Sequence, residues 1–448
     1  MASHDKLMIS VAGVRGVVGT SLTPDIALRF AAAFGSYAGR GRVVVGRDSR
    51  LSGPVIERAV EAGLRSVGCG VVRIGVVPTP TVQLMTRMLR ARGGIAITAS
   101  HNPPQWNALK FVSARGLFLT KRQGSEVLGR YGRGAFRYAD FAHQGPAIDL
   151  PGAVAAHVDA ILRLPFIDIA AIRRRRFTVV TDTCHGAGGP IFALLLRSLG
   201  CRVVQLHAEP TGMFSRPIEP LAKNLAELER AVIRHHADVG FATDADVDRL
   251  SIVSERGRAL GEEYSLALAA DFMLSRRRGS AVTNLSTSRM IDEVARRHGG
   301  TVVRTPVGEA NVVAGMKRHR AVIGGEGNGG IIIPGLNHAR DAAAGIALVL
   351  QLMAESGRPI SAIAADLPAY MMIKETVAVE RPARLLAAVR RAFPGAAIDR
   401  RDGVKAVLPD GWVHVRASGT EPVVRVIAEA GDKAAAAALV KRVIQSVS

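Results

Sequence analysis

Cysteine is scarce in this chain, with Cys69, Cys184 and Cys201 the only three. The count is odd and shows neither a CxxC pair nor zinc-type spacing, which argues against a disulfide framework and suits a reducing compartment. Aromatic residues make up only 4%, leaving little material for stacking single-stranded nucleic acid. Lysine is also rare: nine of the 59 basic residues are lysine, so arginine dominates the net charge of +21. No apolar run is long. Ala342 to Leu350 falls far short of the ~20 residues that span a bilayer, and Met1 to Gly16 lacks a basic n-region followed by an apolar h-region. These absences leave a cytoplasmic protein with no membrane partner as the expectation.

The basic surplus fits nucleic-acid binding, an anionic substrate or arginine-rich codon usage. Runs such as Arg173 to Arg176 and Arg276 to Arg278 border strand-like or helix-like segments, where solvated faces are the simpler reading. Nucleic acid is not an expected partner, and a basic, non-catalytic nucleic-acid-binding protein stands as a remote alternative.

At 448 residues the chain exceeds a single core, since cores stop growing near ~250 to 300 residues. One local grammar occurs three times: an apolar strand, a turn, a helix of 3.6 periodicity, a glycine and a second apolar strand. It runs from Val43 to Ile74, from Phe177 to Val204 and from Ala281 to Arg304. Such β-branched, continuously apolar strands are expected to be buried on both faces in a mixed or mostly parallel sheet. The expected fold class is therefore α/β, three similar α/β domains with mixed sheets covered by helices, plus a smaller C-terminal α+β domain. Its strands are expected at Gly411 to Val415 and Val423 to Ala428, with a helix from about Lys433 to Gln445. The expected domains are 1–152, 153–257, 258–368 and 369–448.

Ligands of such sheets gather at strand carboxyl ends, and two loops there carry chemistry. Gly94-Ile95-Ala96-Ile97 leads into Thr98-Ala99-Ser100-His101-Asn102-Pro103-Pro104, and Ala237 to Ala242 leads into Asp244-Ala245-Asp246-Val247-Asp248-Arg249. On an extended strand, alternating aspartates stand roughly 6.6 Å apart, too far to share a cation. Asp244, Asp246 and Asp248 can converge only if the segment curls. A calcium loop of EF-hand type is rejected, because its sixth position is Arg249 where that loop needs glycine. Three hard carboxylates favour Mg2+.

Ser100 lacks the G-x-S-x-G elbow of a hydrolase nucleophile. A phosphate on Ser100 could be offset by the metal and by Arg15, Arg249, His101 or Lys110, and His101 or Lys110 could serve as general acid and base. Two further loops offer ligand atoms. Gly324 to Gly330 carries Glu326 and Asn328, which suit sugar hydroxyls. Arg416-Ala417-Ser418-Gly419-Thr420 has the makings of a phosphate cradle.

Taken in this order, together with Val11 to Gly16 and Gly46-Arg47-Asp48-Ser49-Arg50, these loops resemble those of the α-D-phosphohexomutase superfamily along essentially the whole chain. The resemblance implies a four-domain molecule whose C-terminal domain is similar to the TATA-binding-protein fold. It implies a phosphorylated Ser100, Mg2+ held by Asp244, Asp246, Asp248 and the Ser100 phosphate, and Arg15 and Arg249 flanking the transferring group. Lys110, with His101 as a second candidate, would handle the hydroxyl proton. Gly308 and Glu309 match the loop that senses sugar orientation, Glu326 and Asn328 the sugar-selecting loop, and Arg416, Ser418, Gly419 and Thr420 the distal phosphate site. The implied reaction interconverts hexose 6-phosphate and 1-phosphate through a hexose 1,6-bisphosphate, which also serves as activator.

The substrate expected from the resemblance is a phosphorylated hexose or hexosamine, with phosphoglucosamine mutase first. Phosphomannomutase/phosphoglucomutase and hexose-1,6-bisphosphate synthase are the alternatives, and a homodimer is left open. Ala245 and Val247 stand where family loops commonly carry glycine. Because valine disfavours positive φ, the metal loop is expected to use ordinary backbone regions.

Overall fold

A computed structural model describes residues 7–10, 13–378, 382–417 and 423–446. By its internal contacts the chain gathers into two compact units, Met1–Ser265 with Gly329–Ile363, and Leu266–Asn328 with Ala364–Ser448.

The first unit holds two sheets. One has seven strands in the order Met8–Ser10, Gly13–Val17, Trp106–Ser113, Gly93–Ile97, Gly41–Arg47, Cys69–Val76 and Ala147–Asp149. Gly41–Arg47 runs parallel to both Gly93–Ile97 and Cys69–Val76, whereas Trp106–Ser113 is antiparallel to both of its neighbours. Val43 and Val45 pack with Phe30, Phe34 and Ile56 on one side, while Val44 packs with Val72, Val82 and Met85 on the other. That double burial is what the β-branched runs lead one to expect.

The second sheet orders its strands Leu250–Ser254, Val239–Thr243, Thr178–Asp182 and Arg202–Leu206. The last three are mutually parallel, and Val239–Thr243 turns back antiparallel into Leu250–Ser254. The acidic loop is the connection of that hairpin. Helix Ala342–Ser356, which contains the longest apolar run, is buried along most of its length and capped by Asp341.

In the second unit, Ser280–Asn284 pairs parallel with Thr301–Thr305 and with Ile323–Glu326. The C-terminal sheet is antiparallel throughout, in the order Met371–Ala378, Val423–Ala430, Gly411–Ala417, Val404–Leu408 and Ala397–Asp399. Helices Pro382–Ala392 and Lys433–Gln445 cover its apolar face through Val389, Val440 and Val443, joined by Phe393 just past the end of the first. Its other face carries the buried polar side chains Lys405, His414 and Glu429. The repeated strand, helix, strand grammar and the distinct C-terminal α+β region both appear as expected. All three cysteines are free, and no helix among the described residues is long and apolar enough to cross a membrane.

Candidate active site

The serine loop is built from below by one guanidinium. Arg50, wholly buried, forms an ion pair with Asp48 and donates to four loop carbonyls: Ser100 O at 2.8 Å, Asn102 O at 2.7 Å, Pro103 O at 2.8 Å and Trp106 O at 2.9 Å. Asp48 accepts from Thr98 Oγ1 at 2.6 Å, and Thr98 Oγ1 accepts from the Ser100 amide at 3.0 Å. This scaffold holds Ser100 at φ 50°, a left-handed conformation that non-glycine residues adopt rarely and at a cost. Ser100 is 7% exposed, and its hydroxyl points at the acidic loop, donating to Asp244 Oδ2 at 2.8 Å.

The acidic loop curls by an equally local device. Asp244 O accepts from the Val247 amide at 3.3 Å, closing a backbone turn, and Asp244 Oδ1 accepts from the amides of Asp248 at 3.2 Å and Arg249 at 3.4 Å. The curl places Val247 at φ 63°, so the expectation of ordinary backbone regions is corrected. Convergence of three alternating carboxylates requires a tight turn, and here a buried β-branched residue occupies the position where glycine would be unstrained.

The three aspartates are all buried, and an oxygen from each lies within 4.8 Å of the others. One oxygen of Asp246 and one of Asp248 are already engaged. Asp246 Oδ2 takes Lys110 Nζ at 2.6 Å and Thr79 Oγ1 at 2.7 Å, and Asp248 Oδ2 takes Arg340 Nη2 at 2.5 Å. Their Oδ1 atoms are buried without a hydrogen bond, which is costly unless something positive completes them. Burial, reinforced by repulsion from Asp248 and Asp246, pushes the Asp244 carboxyl well above the usual carboxylate range. Burial also acts on Asp246, but Lys110 and Thr79 outweigh it and hold that group low. Unsatisfied hard oxygens and mutual repulsion are what a divalent cation such as Mg2+ relieves, and the donor set fits it.

Three cations, Arg249, Arg15 and Lys110, stand around this centre. Arg249 Nη2 donates to His101 Nδ1 at 2.9 Å, and that ring nitrogen lies 3.4 Å from Ser100 Oγ. Burial, aided by Arg249 and Arg15, holds the His101 imidazole well below its ordinary value, so it is neutral at pH 7. Arg15 Nη1 donates to Asn102 Oδ1 at 2.9 Å. Lys110 reaches the site because its strand pairs with Gly13 on one side and Ala96 on the other.

Ser100, His101, Lys110, Arg249 and the three aspartates are thus brought together in the first unit, and Arg15 joins them through Asn102. In the second unit, Glu326 Oε1 accepts from Asn284 Nδ2 at 2.8 Å and from the Gly308 amide at 3.0 Å. Glu309 is buried at the start of helix Glu309–His319, and Asn328 follows strand Ile323–Glu326 by two residues. Arg416 pairs with Asp402 at 3.2 Å, and the same carboxylate oxygen takes the Val307 amide at 2.9 Å. Ser418, Gly419 and Thr420 lie outside the described residues. Reading the sequence did not single out Arg50, Thr79 or Arg340 as site residues. Thr79 and Arg50 lie just beyond strand ends, a usable signal, but Arg340 carries none.

With this geometry in view, the chain matches four family descriptions in succession: phosphoglucomutase/phosphomannomutase alpha/beta/alpha domain I over residues 7–137, domain II over 155–257, domain III over 261–370 and the C-terminal domain over 375–446. It is 38% identical over 428 residues to the phosphoglucomutase/phosphomannomutase of Thermococcus kodakarensis, with 93% of each chain covered. It is 39% identical over 426 residues to a probable phosphoglucosamine mutase of Methanopyrus kandleri, covering 93% of this chain and 92% of the other. A solved family member from Burkholderia thailandensis superposes with a TM-score of 0.85 at 28% identity, covering 98% of both chains. A buried serine facing three aspartates, carried on this succession of domains, defines a phosphohexomutase, an isomerase that works by intramolecular phosphotransfer. The chain belongs to the phosphoglucomutase/phosphomannomutase family.

Proposed function

We propose that the enzyme interconverts glucosamine 6-phosphate and glucosamine 1-phosphate in the cytoplasm, with Ser100 as phosphoryl carrier and a bound hexosamine 1,6-bisphosphate as both intermediate and activator. The observation that carries the reading is the Ser100 hydroxyl, 2.8 Å from Asp244 Oδ2 at the edge of a buried carboxylate cluster. Glucosamine is put first because the loop Glu326-Gly327-Asn328-Gly329-Gly330 resembles loops of family members often assigned that substrate and because the Methanopyrus relative bears that name. The name of the Thermococcus relative favours glucose and mannose phosphates as the second reading.

Asp244, Asp246 and Asp248 are assigned to Mg2+, which when bound supplies charge neutralisation and Lewis acidity toward a phosphoryl oxygen. In the proposed step the Ser100 Oγ–P bond breaks as a P–O bond forms to the sugar hydroxyl, and the proton that hydroxyl loses is balanced by one delivered to the departing Ser100 Oγ, with the Lys110 ammonium assigned to give up the second and take back the first. The bisphosphate then turns over, and its other phosphate returns to Ser100, leaving the enzyme phosphorylated again. Phosphoryl transfer depends mainly on positioning and on charge around the phosphoryl oxygens, which is the role given to Arg249 and Arg15. His101 accepts from Arg249 at Nδ1, so it is read as orienting that guanidinium through a neutral ring whose proton is on Nε2. Glu326, Asn328, Gly308 and Glu309 are assigned to sugar recognition in the second unit. Arg416, with Ser418, Gly419 and Thr420, is assigned to a phosphate there.

Turnover of glucosamine, glucose and mannose phosphates with Mg2+ and a trace of bisphosphate tests the substrate order. Mass spectrometry should find one phosphate on Ser100. Replacing it, Ser100→Ala, should reduce turnover of all three sugars by at least about 10^3-fold, since the covalent step is lost. Undiminished activity in that variant would refute the carrier role.

A further inference from the structure

We infer that His157, which touches no atom of the catalytic cluster, is a positioning residue for the acidic loop and acts on both of its ends through Thr81 and Asp341. The inference rests on the assignment of Asp244, Asp246 and Asp248 to a divalent cation. His157 lies on helix Ala153–Leu162 and is 1% exposed. Its Nδ1 is 2.8 Å from Thr81 Oγ1, and its Nε2 is 2.7 Å from Asp341 Oδ2. The carboxylate can only accept, so Nε2–H donates to it, and Nδ1 is left to bond the threonine hydroxyl. Both ring nitrogens are thus engaged.

Each arm ends on the loop. Thr81 lies in the first turn of helix Thr79–Met88, where Thr79 donates its amide to Asp246 O at 2.9 Å and its hydroxyl to Asp246 Oδ2 at 2.7 Å. Asp341 caps helix Ala342–Ser356 by accepting from the Ala344 amide at 3.0 Å. The first amide of that helix, Ala342 N–H, donates to Val247 O at 3.2 Å, and the preceding Arg340 holds Asp248 Oδ2. His157 therefore fixes the separation between the support of Asp246 and the support of Val247 and Asp248. An apolar trio could fill the same volume at no cost in desolvation. What the polar trio adds is direction, at the place where the loop is held in a strained conformation that its surroundings must over-determine.

The two nitrogens can be separated by substitution. Gln at position 157 can present an amide near the place of Nε2 and gives up the Thr81 arm, and Thr81→Val removes the same arm from the other side at nearly constant volume. Ile161→Val, a core truncation on the same helix, serves as a stability-only control. Mn2+ binding, followed by the electron paramagnetic resonance of the free ion, is the readout, with thermal unfolding measured in parallel. His157→Gln and Thr81→Val should each weaken Mn2+ binding about tenfold, the lower range for partners that orient ligands. Ile161→Val should lower the unfolding temperature and leave binding unchanged. If both variants bind Mn2+ within about twofold of the wild type, below any orienting effect, the trio is only core and the inference falls. A wild type that binds no Mn2+ would remove the metal assignment and this inference with it.

Discussion

Arg50 and Asp48 meet at 3.1 Å with neither side chain exposed to solvent. The pair is the anchor of the serine loop, because the remaining guanidinium N–H groups reach carbonyls at Ser100, Asn102, Pro103 and Trp106. Only a planar, five-donor group can serve all of these partners at once. Arg50→Lys keeps the charge but leaves several buried carbonyls unpaired, each at about 1–3 kcal/mol. It should cost a few kcal/mol of stability and lower turnover by about 10^2-fold through misplacement of Ser100. Denaturant unfolding and steady-state kinetics check both numbers, and wild-type kcat in this variant would show that the loop holds its shape without the fork.

If the acidic cluster holds Mg2+ as proposed, it trades stability for that binding. In the absence of the cation, Asp244 is disfavoured by burial and by the neighbouring Asp248 and Asp246 carboxylates. Asp244→Asn keeps an oxygen for the Asp248 and Arg249 amides and removes a negative charge. In EDTA this variant should therefore unfold at a temperature higher by several degrees, equivalent to about 1–2 kcal/mol. Its unfolding temperature should no longer rise on addition of Mg2+, and turnover should be lost. Differential scanning calorimetry with and without Mg2+ decides the matter.

What the sequence made legible was local. Runs such as Val43-Val44-Val45 and Thr178-Val179-Val180 determine their strands through side chains on both faces, and the strand ends then locate Ser100 and Asp244. The supports of the site were harder to see. Arg340 reaches Asp248 across 92 positions, and Thr79 reaches Asp246 across 167. Arginine is so abundant here that no single one stands out by type. Val247 misled for a related reason. Its intrinsic backbone preference is a local quantity, whereas its conformation is imposed by Asp244 Oδ1 within the loop and by Ala342 from a distant helix.

That imposed conformation can be measured. Val247 is fully buried at φ 63°, where a β-branched residue bears strain of about 1–3 kcal/mol. Val247→Gly removes the strain but also loses about 1.5–3 kcal/mol of side-chain burial. The two terms are of similar size, so the net destabilisation should stay within about 1 kcal/mol, well below the cost of deleting an unstrained buried side chain. Val180→Gly, in the unstrained strand Thr178–Asp182 of the same sheet, gives the comparison, and equal losses at the two positions would mean that Val247 carries no strain.

In the second unit, Lys405 is buried, donating to Leu285 O at 2.6 Å with its ammonium 3.8 Å from the Trp412 ring centroid. Burial, helped by the nearby Arg304, brings its amine down to about 7. The depressed value fixes the sign of a pH effect. Between pH 7 and the ordinary lysine value the unfolded chain binds the proton and the folded protein releases it, so stability contributed at this position rises with pH across that window. Below about pH 7 both states are protonated and the full cost of burying the charge remains. The slope approaches about 1.4 kcal/mol per pH unit at most. Lys405→Met removes the titration together with the bond to Leu285 O, so its effect at a single pH mixes two terms. The difference between wild type and variant isolates the first: wild-type stability should gain on that of Lys405→Met steadily from pH 7 to pH 10 and run parallel to it from pH 5 to pH 6.5. Urea unfolding midpoints at half-unit intervals measure the difference, and curves that stay parallel over the whole range would show that this amine titrates no differently in the folded protein than in the unfolded chain.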